Sequence, residues 1–316
     1  MFDLYNNMPV LITGGLGFIG SHLAEALVLL GAHVTILDNQ STGKRENIQS
    51  IHNQITLIDG DVTDIDVCLK STKDQKIVFH LAAHTSILQS MENPYQCHHG
   101  NTVGTLNMLE ASRKHGISRF VFSSSAAVYG FCEGICTEDT PCKPTSTYGY
   151  SKYLGELLCN EFSNLHNLST IALRYFNVYG PRQRFDTAYS AVVAHFSYLM
   201  QSNKPLTIFG DGLQTRDFVP VLNIVQANLI MGILPHSPHA PFQVFNVASG
   251  KAITILELIA HLKEIFPGFD QPIHFAPQRP GEIYHSGADC TKLKAVLDCL
   301  PAQGSFAKRN PNEFFA

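Results

Sequence analysis

The chain has 316 residues, a formal net charge of −4 and a hydrophobic fraction of 45%. This ordinary composition predicts a globular cytoplasmic protein with room for two domains. The acidic balance argues against nucleic-acid binding, and no apolar run approaches the roughly 18 residues of a membrane span. The N-terminal residues lack a signal-peptide pattern. The eight cysteines include no Cys-x-x-Cys pair, which predicts reduced thiols and no metal site.

The first predicted elements are a short strand at 10–13 and an apolar-periodic helix at 18–30, joined by a glycine-rich turn. The glycines at positions 14, 15, 17 and 20 fit the dinucleotide-binding spacing. Such glycines let backbone N–H groups approach a pyrophosphate at the positive end of the helix. We therefore predict cofactor contacts from Gly14 and Gly17 and from the first helical residues, Phe18 and Ile19.

The second strand, at 34–37, is followed by Asp38 and Asn39. A carboxylate at this position can accept hydrogen bonds from both hydroxyls of an adenosine ribose, and it repels a 2′-phosphate. Lys44 and Arg45 follow closely, but we interpret them as loop charges. The sequence therefore predicts NAD rather than NADP as the cofactor.

The alternation of strands and helices continues through the first half of the chain. Further strands are predicted at 55–58, 77–80, 120–123 and 170–174, and helices at 101–115 and 148–166, with Gly31 and Gly116 as C-terminal caps. Repeated strand–helix–strand units predict an α/β fold with a doubly wound parallel sheet, a Rossmann domain. We assign residues 1–176 to it, with later segments such as 221–250 returning to it.

A serine at the end of the fifth strand and two residues at the start of the next predicted helix predict redox chemistry on an alcohol. Tyr148 and Lys152 lie four residues apart and share a helical face. An ammonium beside a phenol is expected to lower the pKa of that phenol, so Tyr148 could take the proton of a secondary alcohol while hydride leaves for NAD. The Ser125 hydroxyl could then stabilise the developing oxyanion.

The pattern changes after residue 176. Helices are predicted near 188–202 and 221–232, a strand begins at Phe245, and Thr254 with Glu257 forms a capping box that opens a helix ending near 266. These elements predict a smaller α/β substrate lobe, mainly residues 177–316, assembled from several insertions. The tail from Leu297 has little helical pattern.

Nine ordered motifs make the chain resemble the extended short-chain dehydrogenases/reductases of the NAD-dependent epimerase/dehydratase family, nearest to UDP-glucose and UDP-N-acetylglucosamine 4-epimerases. The resemblance extends from residue 8 to about 298. Its motifs are Gly14–Gly20, Asp38–Asn39, Asp61–Val62, His80–Ala83, Ser123–Gly130, Tyr148–Lys152, Arg174–Asn177, Gly210–Phe218 and Arg279–Glu282.

The resemblance implies roles for further residues. On the cofactor side, Asp61 and Val62 would meet the adenine, Ala82 and Ala83 the pyrophosphate, and Asn101, Ser123 and Phe176 would support the nicotinamide half, together with Tyr148 and Lys152. On the substrate side, Asn177, Arg216 and Arg279 would hold a nucleotide-sugar diphosphate, Glu282 would contact the uridine ribose, and Ser125 would meet the sugar. A guanidinium pairs well with phosphate oxygens.

The resemblance also implies a reaction, the 4-epimerisation of a UDP-sugar by transient hydride transfer from C4. The serine run contains no acidic pair of the kind that dehydratases of this family carry. Alternatives are another NAD-dependent nucleotide-sugar epimerase, a decarboxylase or a dehydratase. A non-catalytic NAD-binding regulator is the alternative from a different class.

Two finer expectations follow from the same resemblance. Ser286 occupies a position beside the sugar where a bulky residue would exclude an N-acetyl group. We therefore expect UDP-N-acetylglucosamine/galactosamine to be accepted, alongside UDP-glucose/galactose. A homodimer is expected to form through the helices at 101–115 and 148–166.

Overall fold

The computed structural model describes residues 2–132, 134–185, 192–235, 242–278 and 284–298. The chain divides into two compact units whose segments alternate along the sequence. The first unit comprises Met1–Gly130, Pro141–Tyr175 and Leu222–Phe245, and the second comprises Phe131–Thr140, Phe176–Val221 and Asn246–Ala316. Each unit is therefore built from three separate stretches of chain.

The described residues form the following strands and helices. The strands are β1 (Pro9–Thr13), β2 (His33–Asp38), β3 (Ile55–Asp59), β4 (Ile77–His80), β5 (Arg119–Ser125), β6 (Ile135–Cys136), β7 (Thr170–Tyr175), β8 (Asn177–Tyr179), β9 (Leu206–Phe209), β10 (Thr215–Pro220), β11 (Phe242–Val247), β12 (Ala252–Thr254), β13 (Ile273–Ala276) and β14 (Gly287–Ala288). The helices are α1 (Phe18–Leu29), α2 (Ile65–Thr72), α3 (Ile87–Glu92), α4 (Pro94–His98), α5 (Gly104–Lys114), α6 (Thr147–His166), α7 (Val192–Gln201), α8 (Val221–Ile233), α9 (Ile255–Ile265) and α10 (Thr291–Asp298).

The first unit is built on a seven-stranded sheet with the strand order β11-β7-β5-β4-β1-β2-β3. Neighbouring strands from β7 to β3 pair in parallel. The chain leaves β1 on one side toward β2 and returns on its other side through β4, so the strand order reverses at that point. This topology confirms the predicted doubly wound sheet, whose ligands bind at the carboxyl ends of the strands on either side of the reversal.

The strands of this sheet are apolar on both faces because helices cover both faces. One core cluster joins residues of the sheet to residues of α5 and α6, including Leu11, Phe120, Phe122, Met108 and Phe162. The α6 helix lies very close to the sheet, since a Cβ atom at Gly155 would come within 2.4 Å of the Phe122 ring. This packing fixes the distance between β5 and α6, the two elements that carry the predicted catalytic residues.

Most predicted elements of the first half are present, with differences at their ends. Gly31 and Gly116 follow α1 and α5 with φ values of +79° and +62°, which confirms them as C-terminal caps. The helix predicted at 101–115 is α5, and it is preceded by a π-helical turn at His99–Val103. The wider turn was not predictable from apolar spacing, because its polar residues have no helical periodicity.

The second unit contains three small sheets, with the orders β12-β10-β8, β13-β9 and β14-β6. Its core packs α7 and α9 together with β9. The capping box of Thr254 and Glu257 is present at the start of α9, as predicted. Several of its strands are two to four residues long and were not predicted, since so short a run has no detectable period.

Two predictions concern residues at the margin of what the structure describes. The helix predicted near 188–202 is seen as α7, with 186–191 outside the described residues, and the tail after Asp298 lies outside them as well. Across the described ranges, none of the helices has the length and apolar character needed to span a bilayer.

Candidate active site

The carboxyl ends of the parallel strands bring predicted cofactor residues of the first unit, and the predicted catalytic Ser125, to one edge of the sheet. Gly14 follows β1, Asp38 ends β2, Asp61 follows β3, Ala82 follows β4 and Ser125 ends β5. Residues that are far apart in the chain therefore meet because five parallel strands end at the same edge.

The glycine-rich turn after β1 has the close backbone approaches that a phosphate cradle requires. Gly14 has φ +70°, and a Cβ atom there would lie 2.8 Å from the backbone nitrogen of Ala82. A Cβ atom at Gly20 would lie 2.2 Å from the Gly14 carbonyl oxygen. Gly17 precedes α1, and no side chain among the described residues caps this helix end. The turn thus fits a pyrophosphate at the helix N-terminus.

Asp38 is held rigidly at the end of β2. One carboxylate oxygen accepts a hydrogen bond from the Leu16 amide at 2.9 Å, and the other accepts one from the Gln40 amide at 2.8 Å. Burial raises the pKa of Asp38, although these two amide bonds act in the opposite direction. Arg45 is a cation on the loop after Asp38. Its guanidinium donates a hydrogen bond to the Gln40 side chain at 2.8 Å and lies 3.9 Å from the Asp59 carboxylate, so it already has partners within the chain. This arrangement fits NAD better than NADP.

The residues predicted to meet the adenine, Asp61 and Val62, follow β3, and Asn39, a further predicted cofactor residue, follows β2. Asn39 donates a hydrogen bond to Asp61 at 2.6 Å. Burial acts to raise the pKa of Asp61, but hydrogen bonds from Thr63 and Asn39 outweigh it and lower the pKa. The Val62 side chain is buried and would contact a Cβ atom at Gly104. An ordered acidic edge next to an apolar side chain is consistent with a ribose and adenine site.

The residues predicted to lie near the pyrophosphate and the nicotinamide are held by hydrogen bonds within the chain. The Ala82 amide, which precedes Ala83, donates to the Thr13 hydroxyl at 3.1 Å. The buried Asn101 side chain accepts from the His84 amide at 2.7 Å and donates to the Ser151 hydroxyl at 2.9 Å. The π-helical turn therefore connects the loop after β4 to α6. Ser151 was not among the predicted residues.

Ser125, Tyr148 and Lys152 come together between β5 and α6. Tyr148 is hydrogen-bonded to the Ser125 hydroxyl. The Lys152 ammonium donates to the Ser123 carbonyl at 2.8 Å and lies 5.9 Å from the centre of the Tyr148 ring. Lys152 is buried, whereas Ser125 and Tyr148 are half-buried. A tyrosine, a serine and a lysine thus lie together, an arrangement with the groups that proton transfer requires.

The electrostatics of this group differ from the prediction. The expected lowering of the Tyr148 pKa by Lys152 is wrong, because desolvation of the phenol raises the pKa of Tyr148 and outweighs the hydrogen bond with Ser125. Burial also lowers the pKa of Lys152 to about 8. The pKa of the phenol is therefore shifted in the direction opposite to the expected one.

Ser123 has a different environment from its neighbours. Its hydroxyl lies 3.1 Å from the Tyr175 hydroxyl, which in turn accepts a hydrogen bond from Asn228 at 2.8 Å. The side chain thus belongs to a buried network, and the Ser123 carbonyl is the group that reaches Lys152. A contact of Ser123 with the cofactor stays a prediction.

The predicted substrate residues of the second unit are held mainly by backbone carbonyls. Asn177 donates to the Asp217 carbonyl at 3.0 Å, and Arg216 donates to the Thr215 and Tyr284 carbonyls at 2.8 and 3.3 Å. The Ser286 amide donates to the Thr215 carbonyl at 3.1 Å. The segment that carries Ser286 is therefore paired with the strand that carries Arg216.

Three further predictions concern residues around this part of the chain. Phe176 is buried, and its amide donates to the Val247 carbonyl at 3.1 Å. Arg279 and Glu282 lie outside the described residues, so their roles stay predictions.

Comparison with known proteins shows the class to which this chain belongs. A sequence model of the NAD dependent epimerase/dehydratase family matches residues 10–248. The chain therefore belongs to this family, with NAD as the cofactor that its nucleotide site accommodates.

Individual relatives are similar over nearly the whole chain. The UDP-glucose 4-epimerase of Mycolicibacterium smegmatis is 36% identical over 299 residues, covering 93% of this chain and 94% of that protein. The UDP-N-acetylglucosamine 4-epimerase of Methanobrevibacter ruminantium M1, solved with UDP-N-acetylmuramic acid, is 35% identical with a TM-score of 0.89, covering 98% and 96%. The UDP-glucose 4-epimerase of Thermotoga maritima, solved with UDP-glucose, is 34% identical with a TM-score of 0.87 and the same coverage.

Proposed function

We propose that this protein interconverts a UDP-sugar and its 4-epimer with tightly held NAD. The observation that carries the proposal is the group formed by Ser125, Tyr148 and Lys152 at the carboxyl end of β5. The relatives named as 4-epimerases support it, and so does the absence of Asp and Glu from the sequence Ser123–Val128, where water elimination would need an acid and a base.

Tyr148 moves the proton in this reaction. When bound, NAD would supply the acceptor and donor of the C4 hydride and a positive charge. Burial raises the pKa of Tyr148, so its phenolate depends on positive charge in the site. The phenolate takes the proton of the sugar 4-hydroxyl and later returns it. The Ser125 hydroxyl holds the oxygen at C4 throughout, and Lys152 provides a second positive charge.

Epimerisation requires the 4-keto sugar to present its opposite face before hydride returns. Arg216 and Asn177 are proposed to hold the diphosphate while the sugar turns, because a guanidinium binds phosphate oxygens through directional hydrogen bonds. Arg279 and Glu282 are proposed to complete the nucleotide contacts.

The substrate range is proposed to include N-acetylhexosamines. Ser286 is half-buried, and its amide fixes it beside Thr215. A serine hydroxymethyl group leaves space that a tyrosine ring would fill, so UDP-N-acetylglucosamine/galactosamine and UDP-glucose/galactose should both be accepted.

A homodimer is proposed to form through α5 and α6. Their surfaces carry a series of large exposed apolar side chains: Val103 just before α5, Leu106 in α5, and Tyr150, Leu154, Leu157 and Leu165 in α6.

Light scattering should give a dimer mass for the wild type. Leu157→Asp should shift it toward the monomer, whereas Leu29→Asp, at an exposed leucine of α1, should not; a monomeric wild type contradicts the dimer.

The central experiment is incubation of the purified protein with each of the four UDP-sugars, without added reductant. Chromatography should show the same mixture of 4-epimers from either member of a pair. With a substrate that carries deuterium at C4, the product should keep the deuterium, since the hydride never leaves the site. Loss of the label to solvent, or a product of different mass, would contradict the proposal.

A further inference from the structure

The end of β5 contacts α6 through three consecutive serines. The three contacts are Ser125 with Tyr148, the Ser123 carbonyl with Lys152 at 2.8 Å, and the Ser124 hydroxyl with Glu156. The three helical partners are spaced by four residues, so they line one face of α6. Two of these contacts involve the proposed proton-transfer group. The third, between Ser124 and Glu156, takes no direct part in the proposed proton transfer.

The third contact is the centre of a buried polar network. Arg174 lies directly opposite Ser124 in the register of β5 and β7. It donates two hydrogen bonds to Glu156, at 2.9 and 2.7 Å, and one to the Tyr129 hydroxyl at 2.9 Å. None of these four residues is more than 5% exposed. The network joins two neighbouring strands to the catalytic helix one turn beyond Lys152.

The charges in this network compensate each other. Burial by itself would lower the pKa of Arg174, but the hydrogen bonds and charge of Glu156 outweigh it and raise the pKa. A buried carboxylate needs such a partner, because a lone charge in the interior is strongly unfavourable. Glu156 is therefore fixed in position by Arg174 and can hold Ser124 through a charge-assisted hydrogen bond.

We propose that Ser124, Glu156 and Arg174 are positioning residues that set the register of α6 against the end of β5. This inference rests on the function proposed for Ser125, Tyr148 and Lys152. The Ser124 peptide lies between the carbonyl that binds Lys152 and the serine that binds Tyr148. A shift of Ser124 therefore moves both catalytic contacts at once.

The test is a variant that removes the hydrogen bond between Ser124 and Glu156 and keeps the ion pair between Glu156 and Arg174. Ser124→Ala should lower kcat roughly tenfold, since small misplacements of reacting groups are costly, while the KM for the UDP-sugar and the amount of bound NAD change less than about twofold. Ser124→Thr keeps the hydroxyl and should recover most of kcat. Loss of Glu156 or Arg174 alone would leave a buried charge unpaired, so those variants serve less well.

The matched control is Ser163→Ala. Ser163 is a buried serine at the far end of α6, where its hydroxyl donates to the Leu168 carbonyl at 2.7 Å. Its removal should lower stability by a similar amount and leave kcat unchanged. A second readout uses the protein without substrate: amide hydrogen exchange in the peptide covering 146–152 should be faster in Ser124→Ala than in wild type and unaltered in Ser163→Ala.

The outcomes separate this inference from the proposed function. If the wild type epimerises UDP-sugars and Ser124→Ala keeps wild-type kcat and exchange, the positioning role is overturned. An equal loss of kcat in Ser124→Ala and Ser163→Ala also overturns it, because the effect would then be general destabilisation. If the wild type epimerises no UDP-sugar, the proposed function fails first, and unchanged exchange in Ser124→Ala would overturn the positioning role independently.

Discussion

The two units hold their functional side chains in different ways. In the first unit, Lys152 and Glu156 are buried on one face of α6 and bound to consecutive residues of β5. In the second unit, Asn177, Arg216 and Ser286 are half-buried and donate hydrogen bonds to backbone carbonyls. The groups proposed to move a proton are thus fixed by buried contacts between a helix and a strand, whereas those proposed to hold the substrate depend on loops and short strands.

This difference separates rate from affinity. A preorganised group acts on the transition state, so changes in the first unit should appear mainly in kcat. Contacts to a remote diphosphate act on bound substrate and transition state alike, so changes in the second unit should appear mainly in KM. The following experiments test this separation, beginning with the largest expected effect.

Tyr148→Phe should have the largest effect. It removes the proposed acid–base hydroxyl and retains the ring, so kcat should fall about 10³- to 10⁴-fold. The measurement is epimer formation by chromatography, with bound NAD measured after denaturation as the control for an intact cofactor site. Substantial activity with full NAD content would show that another group transfers the proton.

The interior of the first unit should be sensitive to acid through His80. This ring is buried, with its two nitrogens 2.7 Å from the Thr13 hydroxyl and 3.0 Å from the Thr105 hydroxyl. Burial, with the nearby Lys152 charge, lowers the pKa of His80 to about 3. Between pH 6.5 and 3 the unfolded chain therefore binds a proton that the folded chain does not, and folding stability falls as pH falls.

Urea unfolding at pH 7 and pH 4 measures this effect. His80 should contribute a loss of about 3 kcal/mol over that interval. His80→Gln, which can keep hydrogen bonds but does not titrate, should show a correspondingly smaller loss, and His33→Gln, at an exposed position, should behave as the wild type. Equal acid sensitivity in wild type and His80→Gln would contradict the assignment.

Arg216→Ala tests the second unit. Loss of a charged hydrogen-bond donor to a phosphate should raise the KM for the UDP-sugar about 30-fold, with kcat changed less than about threefold. Initial rates over a range of UDP-sugar concentrations measure both constants. Lys263→Ala in α9, which removes the same charge from the same unit, should leave KM unchanged. A fall in kcat with an unchanged KM would show that Arg216 acts on the chemical step and not on substrate binding.

Ser286→Tyr should have the smallest effect, and it should be selective. The larger side chain should lower kcat/KM for UDP-N-acetylglucosamine about tenfold relative to UDP-glucose. Ser286→Ala is the control, since it keeps the space and should keep both activities. If Ser286→Tyr retains the wild-type ratio, or the wild type turns over the acetamido pair far more slowly, Ser286 does not set the substrate range.

The sequence was sufficient for most strands of the first unit because their apolar runs are regularly spaced, although β11 begins at Phe242 and not at the predicted Phe245. The glycine turn, Asp38 and the pair of Tyr148 with Lys152 could be predicted because each depends on local spacing. Glu156 and Arg174 could not, since their pairing joins a helix to a strand across the sheet. The one available signal in the sequence was the position of Glu156, four residues after Lys152 and therefore on the same face of the helix.

The direction of the Tyr148 pKa shift could not be predicted either. A neighbouring lysine is visible in the sequence, but the loss of water around the phenol depends on how β5 and α6 pack, and it has the opposite effect on the pKa.

The alternation of segments between the units limits how this protein can be divided. The chain crosses from one unit to the other after Gly130, Thr140, Tyr175, Val221 and Phe245. A fragment that stops at Tyr175 would lack β11, the edge strand next to β7, so the first unit cannot be produced by simple truncation. Any evolutionary exchange of the second unit would have required several coordinated replacements rather than the fusion of one new domain.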